Sequence, residues 1–426
     1  MPCCKKEYRL LLFFSFLGLL LISSIPLCLA REDYLKNSIN TPLQDNADYQ
    51  SYLDFFEEVY KYMDDNYYHE VTRDDYQRFI HVFNTKIYPQ LQNSGKTINY
   101  IKWRSTAYLV DFLKSQDDIF SAFFPPLAAK DYEEEVLGKR IDLGIEGILS
   151  KEGFRITRME PRSDAFLKGL NEKDILLTIA GKNVTAFTQE EIVEMLVPLE
   201  GEKVVLNYYD ETEQAKITIE VESVEYFKQT VFMIPVEEPN VFCLQIQRFN
   251  RKTSEDMTRF MNYILRQDNP GLIIDLRGNP GGPPLAAREI SAFFLPPLEE
   301  FVYFQRKNKP KAVLDVPKIP EPYHFKGDIV ILVNKESGSA SELFAGILQG
   351  RGRAVVMGSN TAGQVFLKSM FPFEDESMLL LVTARGFHPD GTVFSYEGVV
   401  PDEKKEDDGS LINFAASYLA EKRISN

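Results

Sequence analysis

The stretch GLIIDLRGNPGG, residues 271–282, sets a short apolar run against a turn of arginine, asparagine, proline and three glycines. An apolar run with no polar alternation is the pattern of a strand covered on both faces. The same pattern returns in DIVILVN, residues 328–334, and ASELFAGILQ, residues 340–349, follows it with helical spacing. Around these two lie the strand NVFCLQIQRF (240–249), a helix from Ser254 to about Arg266, a helix from Leu285 to Phe294, and the strand AVVMG (354–358). Apolar strands alternating with amphipathic helices predict an α/β sheet from about residue 226 to residue 426, with any site in the loops that follow the strands.

Two different patterns precede this core. From Tyr49 to about Phe123 the apolar residues Leu53, Phe56, Val59, Tyr60 and Met63 recur at helical spacing, and Pro125-Pro126 closes the stretch. This predicts an amino-terminal helical region of three or four helices over 31–130. Residues 131–225 instead carry short strands, FRITRM, DILLTIAG and KVVLNYY, and one helix, TQEEIVEMLV, opened by the capping box of Thr188 and Glu191. Their order, after IDLGIEGILS, resembles a PDZ domain. That resemblance implies that backbone N–H groups near Leu143, Gly144 and Ile145 receive a peptide's terminal carboxylate while the adjacent strand edge pairs with the peptide. Asp164 departs from the pattern, since proline is usual there. The whole reads as a multidomain α/β and α+β protein.

Residues 1–30 have a basic start (Lys5, Lys6, Arg9), an apolar run from Leu10 to Ile22 and a cleavage-like Cys28-Leu29-Ala30. This predicts a secretory signal peptide, hence export to a periplasm, an exterior or a lumen. Membrane contact is expected only if that segment stays uncleaved; Leu27 argues against lipid attachment at Cys28. The segment carries Glu7 against its three basic residues, a charge of +2, so its loss takes the formal charge from −15 to −17. A nucleic-acid partner is not expected at that charge. Cys3, Cys4 and Cys28 leave with the signal and Cys243 stays unpaired. The four histidines (His69, His81, His324, His388) form no HExxH spacing, so neither metal nor cofactor is expected.

Two loops hold the candidate chemistry. Asn279-Pro280-Gly281-Gly282 reads either as a tight turn or as a source of uncovered N–H groups for an oxyanion. Ser339 stands at the mouth of a helix beside the N–H of Ala340, near the positive end of the helix dipole. Ser339-Ala340-Ser341-Glu342 is equally a capping box, which needs no catalysis.

Taken together, LIIDLRGNPGG (272–282) and SGSASELFAGILQGRGRAVVMG (337–358) resemble, in order and spacing, the carboxyl-terminal processing peptidases, or tail-specific proteases. EEVYKYMDDNYYHEV (57–71), QDDIFSAFFPP (116–126) and VTARGFHPDGTVFSYEGVVPDE (382–403) extend the likeness over nearly all of the chain after residue 30. The resemblance implies a serine peptidase in which Ser339 attacks, the N–H groups of Ala340 and Gly281 hold the oxyanion, and Gly282, Glu342 and Thr361 support the site. It also implies that the substrate is a protein or peptide carboxyl terminus, and that a lysine acts as base. Such a lysine must be brought by burial from about 10.4 to about 7. In the ungapped match of GSNTAGQVFLK (358–368), Gln364 takes the place of that lysine and Lys368 stands where a supporting glutamine is common. An amide is no base. A relocated dyad of Ser339 and Lys368 is therefore expected if the segment turns; His388 and Lys335 are weaker candidates. A noncatalytic protein holding tails in the PDZ-like groove is the alternative.

Overall fold

The computed structural model describes residues 47–92, 94–320, 323–406 and 409–425. The proposed signal segment, with Cys3, Cys4 and Cys28, lies outside them. No helix among the described residues is long and apolar enough to cross a membrane. The chain divides into residues 1–54 and residues 55–426. Of the first unit, the described residues belong to the helix that begins at Ala47.

Helix α1 (Ala47–Asn66) is followed by α2 (Arg73–Val82), α3 (Tyr88–Gln92) and α4 (Ile98–Leu113). The apolar stripe read in the sequence is the buried one: Phe56 packs edge-on against Phe79 and Phe83. The chain then forms a strand, β1 (Ala122–Phe124). Pro125-Pro126 does not close the helical part. Pro126 is instead the first residue of α5 (Pro126–Leu137), where its missing N–H costs nothing.

Strand β2 (Lys139–Asp142) leads into β3 (Ile145–Leu149), β4 (Phe154–Met159), the single turn α6 (Asp164–Leu167), β5 (Ile175–Ile179), β6 (Lys182–Asn183), α7 (Gln189–Met195), β7 (Lys203–Asp210), β8 (Ala215–Glu222) and β9 (Val224–Phe227). The sheet runs β3-β4-β5-β7-β8, with β6 on β5 and β2 paired separately to β9. Strand β3 is an edge. Thr188 and Glu191 make both halves of their capping box at the start of α7, as their spacing predicts. Asp164 begins α6 and accepts from the Glu222 N–H at 2.7 Å, tying that turn to β8.

The remainder contains β10 (Val231–Ile234), β11 (Val241–Ile246), α8 (Thr253–Ile264), β12 (Gly271–Asp275), α9 (Pro284–Ser291), β13 (Glu300–Arg306), β14 (Ala312–Asp315), β15 (Ile329–Val333), α10 (Ala340–Gly350), β16 (Val355–Gly358), β17 (Phe366–Pro372), β18 (Met378–Phe387), β19 (Glu403–Lys404) and α11 (Leu411–Ser425). Its main sheet is ordered β10-β11-β12-β15-β16-β19, parallel from β11 onward. Every residue of β12 and β15 is buried, because both faces are covered. Leu272, Ile274, Ile331 and Val333 face the large core with Met257, Ile290 and Phe344. Cys243, Ile273, Val330 and Leu332 face α11 through Leu411, Ala415 and Leu419. Alternation along each strand thus feeds two cores. The closing helix, α11, runs fifteen residues. A second, antiparallel sheet joins β1, β18, β13 and β14 in order, with β17 also on β18. It ties the end of the helical region into the core.

Candidate active site

Because β12 and β15 are parallel neighbours, the loops leaving their carboxyl ends lie side by side. They are laced by polar contacts. Gly338 donates its N–H to Asn279 O at 3.0 Å, Ser341 Oγ to the same oxygen at 2.9 Å, and Ser337 Oγ to Leu276 O at 2.8 Å. Asn279, fully buried, donates to Ile246 O at 2.8 Å and accepts the Gly281 N–H at 2.9 Å. The sequence marks Asn279 only as a turn residue. Its role as the clip between three strands becomes visible once the loops are adjacent.

Ser339 is the N-cap of α10, but its backbone lies at φ 52°, ψ −111°. An ordinary capping residue such as Thr188 lies at φ −79°, ψ 167°. A left-handed φ in a non-glycine residue costs on the order of 1–3 kcal/mol and persists only where its surroundings enforce it. Here they do. Glu342, fully buried, accepts the Ser339 N–H on Oε2 at 2.8 Å. The same carboxylate accepts the Gln364 N–H on Oε2 at 2.8 Å, and the Thr361 hydroxyl and Gly363 N–H on Oε1, each at 2.6 Å. Glu342 therefore fastens the serine turn to the 361–364 segment. Thr361 Oγ1 in turn accepts the Val399 N–H at 2.7 Å.

Gly281 packs directly against this turn: a Cβ there would stand 2.8 Å from Ser339 Cβ and 2.9 Å from Ala340 N. Its neighbour Gly282 is as constrained, since a Cβ would meet Phe249 O at 2.0 Å. The Ala340 N–H has no acceptor among the described residues. The Gly281 N–H differs from expectation. It is spent on Asn279 Oδ1, so one of the two expected oxyanion donors is turned away.

Gln364 and Lys368 separate as their spacing allows. The Gln364 side chain lies along the serine loop, its Oε1 3.7 Å from where a Cβ on Gly338 would be. The chain then tightens, with the Phe366 N–H on Gln364 O at 2.9 Å and a bulge between Leu367 and Lys368. Lys368 pairs with Val382 in β18, and its Nζ lies 4.9 Å from the centre of the Phe120 ring. No carboxylate forms an ion pair with it among the described residues. Burial, aided by the nearby Arg248 charge, lowers its pKa below the usual lysine range, with Asp118 opposing. His388 stacks on Phe394 at 3.8 Å and sits against Gly346, two turns along α10 from Ser339. Lys335 is exposed. Neither is brought to the serine. Among the described residues no group of acidic, histidine or cysteine side chains is arranged to hold a metal, and burial pushes the free Cys243 thiol up to about 12.

At the other candidate site two of the three expected donors are engaged. Leu143 is fully buried in the small sheet's core and donates its N–H to Leu196 O at 3.1 Å; Gly144 donates to Asp142 Oδ1 at 2.7 Å. Ile145 begins β3 and is itself buried.

Residues 240–405 match the model of Peptidase family S41, and residues 128–208 match that of the PDZ domain. The chain carries an S41 peptidase domain behind a PDZ domain. By class it is a serine protease hydrolase. A probable CtpA-like serine protease of Staphylococcus saprophyticus is 26% identical to it over 369 residues, covering 85% of this chain and 67% of that one. One of the same name from Staphylococcus aureus is 27% identical over 332 residues, covering 75% and 62%. The chain thus spans about two thirds of the length of the curated relatives it matches. Among solved structures, a lipoprotein from Streptococcus agalactiae superposes with a TM-score of 0.52 at 13% identity, covering 90% of this chain and 99% of that one. That likeness concerns the fold. The S41 match contains Ser339, Gly281 and Gln364, and the PDZ match contains β3 and α7.

Proposed function

We propose that the protein is an exported serine endopeptidase that cuts extended protein segments, carboxyl-terminal tails among them, by acyl transfer at Ser339. The observation that carries this reading is the backbone of Ser339, held at positive φ by Glu342 beside the open Ala340 N–H. A helix cap needs no such strain, whereas a serine presented to a scissile carbonyl benefits from it. Lys368 is the general base in this reading. Its pKa is lowered by burial, the direction a base requires, and the turn after Gln364 shortens the span from the serine loop. Gln364 is a positioning amide, and Gly281 supplies the second oxyanion donor once its N–H leaves Asn279. The PDZ domain delivers the segment by strand addition.

The Gln364 amide at the place of a lysine, with Gly281 turned to Asn279, favours a second reading: a noncatalytic protein that holds tails. Turnover of an unstructured apolar-tailed peptide by wild type, Ser339→Ala and Lys368→Ala separates the two, together with labelling of Ser339 by a fluorophosphonate. Labelling and turnover lost in both variants are expected. Full activity in Lys368→Ala would remove the dyad, and tail binding without labelling would leave only the holding role.

A further inference from the structure

The antiparallel sheet of β14, β13, β18 and β17 turns one face into the large core and the other outward. Val302, Phe304 and Ala384 lie in that core. Alternation therefore puts Tyr303, Gln305, Arg385 and Phe387 on the opposite face, where all four are half-buried. The register sets them in rows: Tyr303 stands opposite Phe387, and Arg385 stands opposite Gln305 on one side and Phe366 of β17 on the other. The Tyr303 and Phe387 rings stack with their centres 5.1 Å apart.

Cations lie over these rings. The Arg385 guanidinium is 4.4 Å from the centre of the exposed Tyr396 ring and 5.9 Å from that of Phe366, and Lys311 Nζ is 4.5 Å from that of Tyr303. The guanidinium of Arg385 makes one hydrogen bond among the described residues, from Nη2 to Phe394 O at 3.5 Å, and pairs with no carboxylate there. The hairpin joining β13 to β14 adds Arg306, Lys307 and Lys309, none of them in an ion pair among the described residues. Gln305 Nε2 holds the hairpin tip by donating to Arg306 O at 2.8 Å and Lys309 O at 2.6 Å. Lys311 has an acid, Glu300 Oε1 at 3.7 Å, and Asp390 in the turn after β18 is spent on the Thr392 N–H and hydroxyl. In a chain of formal charge −15 this is a cationic strip on an aromatic footing. A ring-stacked guanidinium with unspent donors is the group suited to a carboxylate.

The strip begins beside the serine loop. Phe366 follows Gln364 by two residues, and Tyr396 O lies 2.0 Å from where a Cβ on Gly363 would be. Glu342 ties both Gly363 and Gln364 to the Ser339 turn.

We propose that this face receives an acidic, extended stretch of the substrate, with a carboxylate side chain seated on Arg385 beside the Tyr396 and Phe366 rings. The proposal rests on the reading that extended protein segments are the substrates, and adds which ones: those with acidic residues close to the bond cut at Ser339. The field of the whole molecule sharpens the choice, because an acidic segment is repelled by the net negative surface and attracted to this strip.

Binding to the full-length Ser339→Ala protein, which keeps peptides intact, tests it by fluorescence anisotropy. The probes are an unstructured peptide containing glutamates, the same peptide with glutamines in their place, and one with lysines. At about 20 mM salt the glutamate peptide should bind about tenfold tighter than the glutamine peptide, an advantage that shrinks at about 300 mM salt as the charges are screened. Arg385→Gln in the same background should bring the two within about twofold, Arg385→Lys should keep part of the preference, and Arg385→Glu should favour the lysine peptide. Lys307→Gln combined with Lys309→Gln, on the hairpin and away from any core, should weaken the glutamate peptide about threefold.

Equal affinity for the glutamate and glutamine peptides, or no binding of either, would overturn the proposal. So would an Arg385→Gln protein that is folded by circular dichroism and keeps the preference. Should the Arg385 variants not fold, unchanged affinity in the double lysine variant overturns it instead. Vesicles of phosphatidylglycerol and phosphatidylcholine that bind where the glutamate peptide does not, and lose that binding in the double lysine variant, would assign the strip to a membrane surface and overturn it as well. Fluorophosphonate labelling of the wild type keeps the peptidase reading separate: without labelling that reading falls, while the glutamate preference stands or fails by itself.

Discussion

Two side chains, the fully buried Glu342 and the half-buried Lys368, show opposite solutions to burying a charge. Glu342 is surrounded by four donors, so its carboxylate is matched at every lone pair that the loops can reach. Lys368 has only an aromatic face, a like charge at Arg248 and a distant Asp118, and burial is the largest influence on it. Its folded pKa therefore lies below its unfolded value near 10.4. Between those values the unfolded chain binds more protons, so stability rises with pH through that window, and below the folded pKa the full cost of the buried charge is present. Lys368→Met should accordingly raise Tm by a few degrees at pH 7 and progressively less as pH approaches 10. A variant less stable than wild type at neutral pH would show that the amine is paired after all. The same property that makes this lysine costly makes it usable as a base.

At the scale of elements, the site is a junction of three loops, those after β12 and β15 and the one before β17. Asn279 clips the first two and Glu342 the second and third. The division is chemical: an amide both donates and accepts, so it suits a carbonyl and an N–H, whereas a carboxylate only accepts and suits three N–H groups and a hydroxyl. Glu342→Gln turns one acceptor into a donor facing N–H groups. It is expected to cost about 3 kcal/mol in urea unfolding and to slow fluorophosphonate labelling of Ser339, since the serine backbone would relax from positive φ. Unaltered stability and labelling would mean that the turn holds itself. The capping-box spacing at Ser339 was legible from sequence, yet the same letters at Thr188 give an ordinary cap. The difference comes from Gly281 and the 361–364 segment, which crowd and bind one turn and are absent from the other.

For residues 55–426 as a whole, the PDZ domain is joined to the peptidase core by a compact polar seam. Arg162, in the turn before α6, pairs with the fully buried Asp256 of α8 at 2.7 Å; Asp256 also accepts the Thr230 N–H at 2.8 Å. The Gln229 N–H meets Glu160, and Asn250 Nδ2 reaches Lys228 O at 3.1 Å. All converge on residues 228–230, the chain passage from one domain to the other. Arg162→Met leaves the Asp256 charge without its closest cation. We expect limited proteolysis near residues 228–230 to quicken several-fold while the intact core still labels at Ser339. Equal protection of wild type and variant would place the coupling in the remaining contacts. This seam lies next to the glycine loop in the chain, since Asn250 follows Phe249, whose N–H meets Gly281 O at 2.9 Å.

Sequence alone determined the α/β core, four strands of its main sheet (β11, β12, β15 and β16), the helices between them, and the two loops at which chemistry would sit. These follow from local rules: apolar runs for doubly covered strands, a 3.6-residue stripe for helices, glycines where the backbone must turn or be approached. It also puts Gln364 where the family resemblance implies a lysine. What only the tertiary structure decided is which hydrogen bond each polar group makes. The Gly281 and Gly144 N–H groups were legible as donors but not as donors already engaged, because Asn279 and Asp142 reach them through folded geometry. Gln189 gave no sign of lying along β3, forty residues away in sequence. The reason is physical: secondary structure is fixed by neighbours in the chain, whereas the state of a polar group is fixed by whatever the fold brings within 3 Å of it.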